Sequence, residues 1–145
     1  MMGVVRLAFA PKPAHVRIAR LVAVATAREA GVDEELLDEI RLAVGEACSR
    51  AVGLHRQHGR SDLVVLEFTV GERFGATVRD TAPAGLTPPA GPPVAGSPFG
   101  GDGFSEEAVV AGVGLALLTG LVDDVSVTAA AEGVGTLVEM SWPLG

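Results

Sequence analysis

Two stripes run along a single stretch of helical periodicity, and they constrain this chain more than any other feature. After Asp33, Leu36, Leu37, Ile40, Val44, Ala47 and Ala51 recur at the spacing of one face of an α-helix. Beside them lie Glu39, Ala43, Glu46 and Arg50, again at three- and four-residue intervals. A helix with such a face has to bury it against a second layer. Asp33 is placed to cap the helix, and Glu34 and Glu35 fall in the first turn, where the macrodipole favours acids. The pattern predicts fraying between Gly53 and Gly59.

The second layer is legible on both sides of this helix. Val4 to Phe9 reads as a strand stopped by Pro11 and Pro13. Ile18, Leu21, Val22 and Ala25 predict the buried face of a first helix that ends at Gly31, with Arg17, Arg20 and Arg28 on a solvated face. Leu63 to Val70 and Phe74 to Arg79 form a hairpin around Gly71-Glu72-Arg73. From Ala82 to Gly103 the chain is mostly Pro, Gly and Ala, the composition of a lid, placed at about 85–111. A helix over Ser105 to Leu121 follows, then strands over Val125 to Ala130 and Thr136 to Trp142. This order predicts an α+β domain spanning residues 1–145. It is a two-layer sandwich, with a mixed, mostly antiparallel sheet and the helices on one face.

Composition narrows the function. A formal charge of -7 repels a polyanionic backbone, which argues against nucleic acid as a partner. No run reaches the apolar length of a membrane span, so no membrane role is expected. Met1 to Pro13 lacks the parts of a signal peptide, and the single cysteine, Cys48, forms no internal disulfide. The expected compartment is the cytoplasm. Cys48 itself reads as a small buried apolar residue. His55 and His58 have no third partner in sight and read as ordinary helix-end histidines.

Four stretches carry a family resemblance: Asp38 to Cys48, Val78-Arg79-Asp80, Gly112-Val113-Gly114-Leu115, and Gly135 to Met140. Their order and spacing resemble the bacterial anti-sigma-factor serine kinases, which have the histidine-kinase-like ATPase fold. The resemblance implies roles residue by residue. Glu46 matches the carboxylate that orients the attacking hydroxyl. Asp80 matches the carboxylate that accepts a hydrogen bond from the adenine amine, and Thr136 the residue that supports it. Gly112 and Gly114 match a glycine box whose N–H groups face phosphates.

The sequence departs from the family pattern at three places. Arg50 stands where the family has an Asn that binds Mg²⁺. A guanidinium offers only donors and cannot ligate a hard cation, so no metal residue is assigned and the Mg²⁺ site is expected to be lost. Glu46 followed by Arg50 also has the spacing of an exposed helix ion pair. Ala82 and Ala84 stand where the family has glycines, and their methyls crowd the adenine side of the site. The resemblance therefore implies a cytoplasmic regulator of a partner-switching circuit. It would bind a STAS-domain anti-anti-sigma factor, a sigma factor or both, pair as a homodimer, hold ATP weakly and lack kinase activity. The alternative is an active ATP-dependent serine/threonine kinase that phosphorylates the STAS-domain partner.

Overall fold

A computed structural model of the chain describes residues 3–82, 124–129 and 135–145. The elements run β1 (Gly3–Phe9), α1 (Pro13–Ala30), α2 (Glu34–Gln57), β2 (Val64–Val70), β3 (Arg73–Asp80), β4 (Asp124–Ala129) and β5 (Thr136–Pro143). The sheet order is β1-β2-β3-β5-β4, and every ladder among the described residues is antiparallel. Both helices pack on one face, α1 over β1 and β2, α2 over β2 and β3. The α+β two-layer architecture is the expected one. The lid at about 85–111, the helix over Ser105 to Leu121 and the turn at 132–134 lie outside the described residues.

Period-2 alternation decides which side chains reach the helices. Val64, Leu66 and Phe68 of β2, Phe74, Ala76 and Val78 of β3, and Val138, Met140 and Trp142 of β5 are buried. Phe68 stacks on Phe74, which in turn meets Trp142, so an aromatic row crosses three strands.

Helix α1 departs from its expected face. Its buried residues are Val16, Ala19, Ala23 and Ala27, whereas Ile18 and Leu21 are 50% and 65% exposed and Ala25 is exposed. Three fully buried alanines let α1 approach α2 closely, and that packing outweighs the greater hydrophobicity of the Ile18–Leu21 stripe. Arg20 leaves the solvated face as well: it is half-buried against Gly45, where a Cβ would collide with its guanidinium.

Two Schellman-type ends set the helix boundaries. Gly31 (φ 97°) ends α1, with Val32 N–H donating to Ala27 C=O and Gly31 N–H to Arg28 C=O. Gly59 (φ 64°) does the same after α2, with Arg60 N–H to His55 C=O and Gly59 N–H to Arg56 C=O. So α2 runs past Gly53 without fraying there. Asp33 occupies the N-cap of α2, but its side chain makes no capping hydrogen bond.

Candidate functional site

The polar stripe of α2 faces the sheet rather than water. Near its start, Glu39 accepts a hydrogen bond from the Trp142 indole N–H on β5 at 2.7 Å. Ala43 is fully buried, Glu46 is half-buried, and Arg50, one turn beyond Glu46, is buried over the end of β3. The last inward-facing residue of β3 is Asp80, two places beyond Val78.

Arg50 and Asp80 meet there. Nη1 of Arg50 donates to Oδ2 of Asp80 at 3.2 Å, with the two side chains 3% and 1% exposed. The other carboxylate oxygen, Oδ1, accepts the Ala82 N–H at 3.1 Å, closing an Asx-type turn. Both oxygens are thus engaged within the chain. Position 50, expected as part of an exposed helix ion pair, is instead half of a buried ion pair that bridges the two layers.

Burial pushes the Asp80 carboxyl above the ordinary carboxylate range, against the opposing pull of the Arg50 charge and the Ala82 N–H. Burial also draws the Arg50 guanidinium down, against the attraction of Asp80. Each charge is costly alone, and mutual neutralisation keeps both in place.

Thr136 pairs with Asp80 in the β3–β5 register. It is fully buried, yet its Oγ1 has no hydrogen-bond partner among the described residues. The support expected from Thr136 is therefore cross-strand packing and not a hydrogen bond to the carboxylate. Gly135 has φ 89°, and a Cβ there would strike the Asp80 carbonyl, so only glycine lets β5 begin so close to the end of β3. The Thr81 hydroxyl is likewise buried without a partner. Ala82 is fully buried against Leu54 of α2, one turn after Arg50.

His55, which reads from the sequence as an ordinary helix-end histidine, belongs to this site. The ring is fully buried. Nε2 accepts the Thr81 N–H at 2.9 Å, and Nδ1 donates to the Asp62 carbonyl at 3.1 Å. The available signal was slight: His55 is the first of four polar residues that follow the apolar run Ala51-Val52-Gly53-Leu54. The structure thus brings together Arg50, Asp80 and Thr136, with Glu46 one turn away on the same stripe. Gly112, Gly114 and Ala84 lie outside the described residues.

This donor set does not fit Mg²⁺, because Arg50 carries N–H groups and positive charge where oxygen ligands are needed. Asp80 accepts one hydrogen bond at each oxygen, and with its side chain 1% exposed an incoming amine has to compete with Arg50 for room at the carboxylate. Residues 9–142 match the family model of the histidine kinase-like ATPase domain. Among curated proteins, no sequence matches the chain.

Proposed function

The chain belongs to the histidine kinase-like ATPase domain family, and on that premise we propose that it is an anti-sigma-type partner-binding regulator whose nucleotide site is closed from within. The observation that carries this reading is the buried Arg50–Asp80 pair. In the resemblance, Asp80 reads an adenine amine by accepting its hydrogen bond. Here the Arg50 guanidinium donates to the same carboxylate, so Arg50 stands in for the ligand. An adenine amine has to share the carboxylate with a buried charge-assisted hydrogen bond or displace it, and such a bond is stronger than a neutral one. Weak nucleotide binding follows. Phosphoryl transfer also relies on Mg²⁺ to neutralise developing charge, and Arg50 supplies no ligand for it. The partners that fit the reading are a STAS-domain anti-anti-sigma factor and a sigma factor, bound in the cytoplasm by a protein that acts through association.

A second reading, an active serine/threonine kinase, draws on two features. Glu46 is retained one turn from Arg50, and the Thr136 hydroxyl is buried and unpartnered, as a ligand-facing group would be.

Calorimetric titration with ATP, with and without Mg²⁺, separates the readings when run beside phosphate transfer to a STAS-domain protein. The parent is expected to bind weakly, with no Mg²⁺ dependence and no transfer. The triple variant Arg50→Asn, Ala82→Gly, Ala84→Gly is expected to bind more tightly and to become Mg²⁺-dependent. Tight parental binding that chelator abolishes, together with transfer, overturns the regulator reading in favour of the kinase.

A further inference from the structure

Three successive residues leave β3, and α2 holds each of them. Arg50 bonds Asp80, His55 bonds the Thr81 N–H, and Leu54 packs on Ala82. Of these contacts the histidine is the most demanding. A backbone amide can only donate, so Nε2 facing Thr81 must be the bare acceptor nitrogen. The proton then sits on Nδ1, where the Asp62 carbonyl receives it. The ring is fully buried, and both its nitrogens are used with opposite polarity.

We infer that His55, fixed in the Nδ1–H tautomer, is the positioning residue for Asp80. The inference rests on the reading of Asp80 as the ligand-facing carboxylate of the site. The physical chain is short. The Asp62 carbonyl, in the connection between α2 and β2, sets the tautomer. The tautomer presents an acceptor to Thr81. The captured Thr81 N–H fixes the direction in which the chain leaves the strand, and so where the Ala82 N–H points. Ala82 then donates to Oδ1 of Asp80, which leaves Oδ2 turned to Arg50. Because the Thr81 and Ala82 amides are both consumed inward, neither is free to donate to a ligand. Arg50 is then the group that controls access to the carboxylate.

This assigns His55 a hydrogen-bonding role that shape alone cannot replace. Glutamine can offer a carbonyl oxygen to Thr81 and an NH₂ to Asp62, whereas phenylalanine fills similar space with neither. The full-length chain is examined as parent, His55→Gln and His55→Phe by amide hydrogen exchange and by carbon NMR of the Asp80 carboxyl through a pH titration. In His55→Phe, exchange at Thr81 and Ala82 is expected to accelerate by about fivefold or more, the scale of one lost hydrogen bond, while Val78 in the strand interior is unchanged. The Asp80 carboxyl titration is expected to move in the same variant. His55→Gln is expected to restore both towards the parent.

Parental exchange and titration retained in His55→Phe, or equal loosening in both variants, overturn the inference. Should His55→Phe fail to fold, nitrogen NMR of the parent still tests it: a proton on Nε2 in place of Nδ1 overturns it. None of these readouts involves nucleotide. An ATP titration that contradicts the proposed function therefore leaves the His55 result separately readable.

Discussion

Arg50 is where one residue changes what the site can do. Removing one partner of a buried ion pair leaves the other charge uncompensated, at about 3–5 kcal/mol. That is far more than the few tenths that a surface helix pair contributes. Arg50→Asn should therefore destabilise the domain markedly at neutral pH. The pH dependence follows from Asp80. Its folded carboxyl lies above the ordinary value because of burial. A raised folded value means stability that is complete below the unfolded value, about 3.9, and is lost as pH rises through the folded value. Without Arg50, the main opposing pull is gone and the folded value rises further. Urea unfolding of parent and variant should show the deficit largest at pH about 7 and shrinking towards pH about 4. A deficit that stays constant across that range would show that Asp80 is not the group left unpaired. Cys48 gives a simpler expectation at the same scale. It is fully buried and its thiol is pushed up to about 12, chiefly by desolvation. Since the thiolate is the reactive form, a thiol reagent at pH about 8 should label it only after denaturant unfolds the chain. Rapid labelling of the native protein would contradict the burial.

At the scale of elements, α1 shows how packing selects a face. The stripe Ile18, Leu21, Val22, Ala25 has the right period and the larger side chains, yet the helix turns Val16, Ala19, Ala23 and Ala27 inward and of the stripe only Val22 packs against the core. Alanine contributes little to a hydrophobic pattern but allows two backbones to approach. Two substitutions test which face is core. Leu21→Ala should shift stability by no more than about 0.5 kcal/mol, as surface changes do. Ala23→Leu should cost about 1–3 kcal/mol by overpacking the contact with α2. Thermal unfolding of both variants decides the matter, and a loss above about 2 kcal/mol for Leu21→Ala would restore the expected face. Helix α2 shows the converse. Its apolar stripe was correctly legible, and its polar stripe was legible as a pattern, but the pattern gave no reason for it to face the sheet. Glu39, Ala43, Glu46 and Arg50 share that side because Trp142 and Asp80 lie beneath the two ends of the stripe.

At the scale of the whole molecule, the two layers are tied at both ends of α2, by Glu39–Trp142 and by Arg50–Asp80. Glu39→Ala leaves the buried indole N–H without its acceptor, and should cost about 1–3 kcal/mol. The chain has one tryptophan, so its fluorescence reports this end of the sandwich without ambiguity. A parental emission maximum and midpoint in that variant would remove the tie from the stability of the fold. Among the described residues the elements, their order and the two-layer class followed from the sequence by itself, because periods of 3.6 and 2 and the glycine stops are local properties. The sequence also placed Asp80 and Thr136 in a common site through their resemblance to a family. Only the tertiary structure joined Arg50 to Asp80 across thirty positions, and Trp142 to Glu39 across a hundred and three. It also turned His55 from a helix-end residue into the acceptor for Thr81. The physical reason is that burial and partner are set by which strand lies under which turn of α2. That depends on the β3–β5 register and on the close α1–α2 contact, neither of which is written in any single segment.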